Sequence, residues 1–64
     1  MYRAVIRVHS LVEITTEPVL EQVIQHESFT QVVAATIPEL HRLENMGYIT
    51  ANSCVTVDYT EVRR

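Results

Sequence analysis

The N-terminal residues alternate between apolar and polar side chains, and this alternation restricts the possible folds more than any other feature of the chain. All even positions from Tyr2 to Ile14 are apolar except Ser10. Because successive side chains leave a β-strand on opposite faces, the pattern predicts one long amphipathic strand over residues 2–15. Such a strand would span roughly 46 Å, whereas a compact chain of this length is roughly 28 Å across. We therefore expect either a bulge at His9 and Ser10 that bends the strand, or another chain that covers its overhang.

The next segment carries a helix-start signal. Thr15 and Thr16 can cap a helix with their hydroxyls, and the acid and the proline that follow suit a first turn. Two apolar pairs, at 19–20 and 23–24, are four residues apart and indicate one buried stripe. The sequence thus predicts a helix over about 17–26.

Two capping boxes come after this segment. Ser28 and Thr36 are each followed, three positions later, by Gln or Glu, whose side chain can bond back to the capping residue. The boxes predict helices over about 29–35 and 37–46. The second would end at Gly47, the only glycine in the chain, where a left-handed terminus favours glycine.

The same stretch also fits one continuous helix from 29 to 46. In that alternative Pro38 kinks the helix, because its ring clashes with the carbonyl four residues earlier. The capping chemistry at Thr36 favours a break, and either arrangement buries the same apolar side chains.

The C-terminal third returns to extended patterns. Residues 48–50 start a strand, 51–53 supply a short polar turn, and 54–62 alternate again, which predicts a hairpin. The N-terminal strand and this hairpin would form a small antiparallel sheet, with two or three helices on one face. The sequence therefore predicts a single α+β domain of two layers over residues 1–64.

Size and charge restrict the partners. A domain of only 64 residues has a small core and is marginally stable alone, and the single cysteine, Cys54, allows no disulfide within the chain. We therefore expect a homodimer in which the N-terminal strands pair or cross. The five cations are all arginine and the net charge is −3, which argues against nucleic acid as a partner.

Membrane and export signals are missing from the sequence. It shows no apolar run of roughly 20 residues that could cross a bilayer, and its N-terminus lacks the pattern of a signal peptide. We expect a protein without membrane contact, in the cytoplasm of a bacterial or host cell.

The residues that could carry chemistry do not form a recognisable site. The three histidines and Cys54 lack the short spacings of a zinc site. Cys54 lacks an evident orienting group for catalysis, and one glycine cannot build a phosphate-binding loop. We expect neither an enzyme nor a bound metal or cofactor.

The main functional hypothesis is a non-enzymatic protein-binding module. We expect such a regulator or inhibitor to dock on a larger protein, and a virus is a candidate source of the chain. The edge of the long strand invites pairing with another chain. The candidate binding residues are Arg3, Arg7, His9, Glu13 and Tyr48. A further alternative is a protein that sequesters an anionic ligand between subunits, with Arg3, Arg7 and His9 on one strand face.

One stretch suggests a second function. Residues 28–49 contain a Leu-x-x-Leu-Glu-x-x-Gly-Tyr-Ile pattern that starts at Leu40 and ends at Ile49. This stretch resembles the helix-turn-helix and wing of winged-helix regulators, which would extend over residues 28–62. The resemblance implies DNA binding by the exposed face of the second helix. The residues it implies are Glu39, His41, Arg42 and Asn45.

Overall fold

A three-stranded antiparallel sheet carries one helix on one of its faces. The computed structural model describes residues 1–12 and 17–63. In chain order the elements are β1 (Tyr2–Ser10), β2 (Leu20–His26), α1 (Phe29–Asn45) and β3 (Ser53–Glu61). The strand order is β2-β1-β3, and both pairings are antiparallel. The predicted α+β class is confirmed, but the described residues form one helix rather than two or three.

The first strand is shorter than predicted. β1 has nine residues, or about 30 Å, and fits within the 38 Å long axis of the molecule. His9 and Ser10 keep their regular pairing with β3, so the predicted bulge is absent there. The chain bends at Leu11 and Val12, and the rest of the predicted strand, at 13–15, lies outside the described residues. Because β2 and β3 occupy both edges of β1, the N-terminal strands of two copies cannot pair.

Most of the segment predicted as a helix over 17–26 is strand β2, which begins at Leu20. Its residues alternate, since Leu20, Gln22 and Ile24 are half-buried while the residues between them are exposed. Apolar pairs four residues apart fit this period of two as well as a helix. Pairing with β1 along the whole of β2 decides between the two, because it satisfies the backbone groups of a segment too short for a stable lone helix.

α1 is continuous, contrary to the predicted break at Thr36. Ser28 caps it as predicted, and its Oγ accepts a hydrogen bond from Gln31 N at 3.1 Å. Thr36 lies inside the helix and is 3% exposed. Its hydroxyl donates to Val32 O at 2.8 Å instead of capping a new helix. Pro38 also lies inside α1.

The predicted C-terminal hairpin is absent from the described residues. Residues 48–52 form bends and turns, and β3 pairs with β1 instead. Gly47 ends the helical segment with a φ of 87°, the left-handed conformation that glycine adopts without strain. The chain then turns at 50–53, where Ser53 N donates to Thr50 O at 3.1 Å.

The core lies between α1 and the centre of the sheet. β1 contributes Ala4, Ile6 and Val8, and α1 contributes Val32 and Leu43, all at most 1% exposed. α1 lies over β1 and β2. Three edge-to-face rings, from Tyr2, Phe29 and Tyr59, pack its N-terminal end on the sheet, with centroids 5.7 and 5.5 Å apart.

Candidate interaction surface

The sheet has one face that the helix does not cover. Because Ala4, Ile6 and Val8 point into the core, the alternate residues of β1 point to the opposite side. The strand register places residues of β2 and β3 beside them. We call this surface the open face, and it consists of Arg3, Val5, Arg7, His9, Glu21, Val23, Gln25, Cys54, Thr56, Asp58 and Thr60.

Arg7 links all three strands on the open face. Its Nε donates to Glu21 Oε2 on β2 at 3.1 Å, and its Nη1 donates to Asp58 Oδ2 on β3 at 2.8 Å. The three side chains are partly exposed, so each ion pair contributes at most about 1 kcal/mol to stability. The main consequence is geometric, because the guanidinium is held in one position. The charge of Arg7 is also balanced before any partner binds.

Arg3 has a different environment. With the Gln25 amide oriented so that its oxygen faces the guanidinium, Arg3 donates from Nε and Nη2 at 3.0 and 3.1 Å. No carboxylate among the described residues forms an ion pair with Arg3. The positive charge of Arg3 is therefore free to meet an acidic group, whereas that of Arg7 is not.

An apolar pair separates the two arginines. Val5 lies between them along β1 and is paired with Val23 of β2, which is 52% exposed. The open face thus has an apolar centre with a free cation on one side and an ordered charge cluster on the other. His9 lies nearer the far end of β1, opposite Cys54.

The structure brings together only part of the predicted binding set. Arg3, Arg7 and His9 share the open face, whereas Tyr48 follows the C-terminal end of α1, where its N–H donates to Leu43 O. Glu13 lies outside the described residues. Glu21 and Asp58 were not predicted as partners of Arg7, because the predicted helix over 17–26 included Glu21. The alternation of residues 20–26 was the signal that could have found β2.

Two of the four residues predicted for DNA binding, Glu39 and Arg42, form an ion pair with each other on α1. Arg42 donates to Glu39 through Nε at 3.1 Å and through Nη2. This hydrogen bond lowers the pKa of Glu39 and raises the pKa of Arg42, and the attraction between the two charges acts in the same direction on both groups. His41 and Asn45 are exposed beside them and line a shallow depression of about 560 Å³.

The helix-turn-helix implied by the winged-helix resemblance is not present, because α1 runs through the position of the turn. The implied wing would need a hairpin, and β3 is a single edge strand. The cation of Arg42 is already paired with a carboxylate. The described residues therefore give the DNA-binding hypothesis no geometric support.

Neither the remaining geometry nor a comparison with known proteins assigns a function to this chain. Within residues 1–12 and 17–63, no group of three or more His, Cys, Asp or Glu side chains is arranged to hold a metal ion. α1, the helix in that part of the chain, is not long and apolar enough to cross a membrane. A search of protein-family models, curated proteins and solved structures finds no match to this chain.

Proposed function

We propose that the chain is a non-enzymatic protein-binding module that docks on a larger protein through the open face. The observation that carries the proposal is the combination of a free Arg3 cation with an apolar pair formed by the half-buried Val5 and the exposed Val23. The partner surface would offer a carboxylate to Arg3 and an apolar side chain to the two valines. Arginine is enriched in protein interfaces because its planar fork binds carboxylates in a bidentate way.

The ordered state of Arg7 also favours docking. Immobilising a long side chain on binding costs roughly 0.5–1.5 kcal/mol, and the bonds to Glu21 and Asp58 already restrict Arg7 in the free protein. A partner that donates hydrogen bonds to these two carboxylates would meet an ordered acceptor pair. The open face would then distinguish partners by charge at two places, since Arg3 requires an acidic group and the Glu21 and Asp58 carboxylates require a hydrogen-bond donor.

An anionic small ligand is a poorer fit for this surface. Arg3, Arg7 and His9 do share one face, but the two carboxylates on Arg7 would repel an anion placed there. The apolar pair between the arginines also separates the two cations. We therefore favour a protein surface over a nucleotide-like ligand.

Affinity capture with matched variants tests the proposal. Tagged chain is used to capture partners from a lysate of the cell that produces it, together with the variants Arg3→Glu, Val23→Glu and Arg42→Glu. The first two change the open face, and the third changes only the exposed ion pair on α1. We expect one captured protein to be lost with both open-face variants and kept with Arg42→Glu.

The affinity of the purified partner gives the quantitative check. Arg3→Glu replaces attraction by repulsion and should weaken binding at least about tenfold, which corresponds to about 1.4 kcal/mol. Circular dichroism would confirm that each variant is folded. Capture that survives both open-face variants, or that only Arg42→Glu abolishes, would place the docking surface elsewhere, and the absence of any specific partner would contradict the proposal.

A further inference from the structure

Among residues 1–12 and 17–63, no strand pairs with the outer edge of β3. Leu11 N donates to Asn52 O at 2.8 Å and Val62 N donates to Met1 O at 2.9 Å, so the even residues of β3 bond to β1. Hydrogen-bonded and non-bonded pairs alternate in an antiparallel ladder. The N–H and C=O groups of Val55, Val57 and Tyr59 therefore point to the free edge.

The side chains of the same residues are also incompletely covered. They lie on the helix side of the sheet, but α1 lies over β1 and β2. Val55 and Val57 remain half-buried, and Tyr59 is 40% exposed. A groove of about 320 Å³ runs beside α1 here, lined by Ile37, Leu40, His41, Glu44, Ile49 and Val55. Ile37, at 58% exposed, is an apolar side chain at this groove without a cover.

Edge strands of monomeric proteins usually carry features that prevent pairing, such as lysine, proline or a bulge. β3 has none of these over its nine residues, and its only charges are Asp58 and Glu61. β2 is shorter and lies beneath α1. β3 is thus the edge that another strand can join.

We propose that β3 pairs antiparallel with β3 of a second copy, with the two-fold axis at Val57. Only odd residues of β3 have free backbone groups, so odd residues must form the hydrogen-bonded pairs. An axis at Val57 places Val57 opposite itself and Val55 opposite Tyr59 of the second copy. These pairs cover the half-exposed apolar residues on the helix side. The groove of each copy then faces that of the other.

Charge excludes the neighbouring register with its axis at Asp58. With the axis at Val57, Asp58 lies opposite Thr56 of the second copy and Glu61 lies opposite Ser53, so no like charges meet. An axis at Asp58 would place the two aspartates directly opposite each other, which is destabilising. The absence of opposed like charges and the apolar cover are therefore both consistent with an axis at Val57.

The dimer also enlarges the open face. Three strands at ~4.8 Å spacing and about 30 Å length present roughly 400 Å², about half of the ~800 Å² that each partner commonly contributes to a stable interface. Pairing through β3 makes one six-stranded sheet with both open faces on the same side. The dimer itself rests on the edge and the groove, and does not require the proposed docking function.

Disulfide trapping tests the register. Cys54 is exposed, and the proposed register puts it opposite Thr60 of the second copy, in a non-hydrogen-bonded pair whose Cα separation of about 4.5 Å suits a disulfide. Under mild oxidation Thr60→Cys should give a covalent dimer on a non-reducing gel. Wild type, and Thr56→Cys as the matched control, should not. Equal cross-linking of all three, or none with Thr60→Cys, would overturn the register.

Charge variants test the pairing in solution without perturbing the core. Thr56 is exposed and lies opposite Asp58 of the second copy. Thr56→Asp should weaken the dimer about tenfold, because two like-charge pairs form, whereas Thr56→Lys should keep or tighten it. Sedimentation velocity gives the dissociation constants. A wild-type monomer at every concentration tested, or the reverse order of the two variants, would overturn the proposal.

Discussion

Pro38 offers a test of whether residues 29–45 form one helix or two. The two arrangements predict opposite signs for the change in stability that Pro38→Ala causes. Pro38 lies inside continuous α1, so the carbonyl of Ala34 has no backbone donor four residues later. Pro38→Ala restores that donor and removes the ring clash. If residues 29–45 were instead two helices capped at Thr36, Pro38 would lie in a first turn, where proline is harmless.

The expected magnitudes are well separated. Proline is about 3 kcal/mol less favourable than alanine in a helix interior. The exposed position of Ala34 lets water bind its carbonyl and relieves part of this cost, so we expect a gain of roughly 1–2 kcal/mol. A first-turn proline would make the same substitution destabilising by roughly 0.4–1 kcal/mol, because the unfolded chain gains freedom.

Thermal unfolding, followed by circular dichroism at one fixed protein concentration, measures the sign of the stability change that Pro38→Ala causes. A domain of this size changes its Tm by roughly 4–8 °C per kcal/mol, so Tm should rise by at least about 4 °C. Thr36→Asp is the matched control. It preserves an N-cap but buries a negative charge at a position that is 3% exposed, so it should be strongly destabilising. A lower Tm for Pro38→Ala with a tolerated Thr36→Asp would refute a continuous α1.

Three further experiments test the cap of α1, the core and the ion pair on α1. Ser28→Ala should cost about 1 kcal/mol and Ser28→Gly only a few tenths, and equal losses in thermal unfolding would contradict the cap. Ile6 is 0% exposed, so Ile6→Val should lower the free energy of unfolding in urea by roughly 0.5–1.5 kcal/mol. Val23→Thr, on the open face, should change it by no more than about 0.5 kcal/mol. Equal losses for the two variants would contradict the burial of Ile6 in the core. Arg42 lowers the pKa of Glu39 below its ordinary value of 4.5, so this pair stabilises the fold above that value and is lost as pH falls through the folded pKa. Arg42→Gln should flatten the fall of Tm as the pH drops below 4.5, and an unchanged pH profile of Tm would contradict a stabilising role of the ion pair.

Local patterns were sufficient for several elements. The alternation around Ile6 predicted β1, that around Val57 predicted β3, and the hydroxyl of Ser28 predicted the start of α1. Each of these signals depends on neighbouring residues alone. The α+β class followed from them, and the shared face of Arg3, Arg7 and His9 followed from the alternation of one strand.

The remaining features depend on contacts between distant residues. The apolar pairs around Val23 satisfy both a helical and a strand period, and pairing with β1 decides between them. Glu21 and Asp58 become partners of Arg7 only once the strand order is known. Thr36 could cap a helix or bond inside one, and its burial against the sheet decides this. The open face could not be assigned before β2 was recognised as a strand.

Site-specific photo-cross-linking tests docking through the open face most directly. A benzophenone amino acid is placed at Val23 on the open face, and, in a matched chain, at Thr30 on the exposed side of α1. Illumination in the producing cell should join the Val23 chain, and not the Thr30 chain, to the captured partner. Cross-linking from Thr30 alone, or from neither position, would contradict docking through the open face.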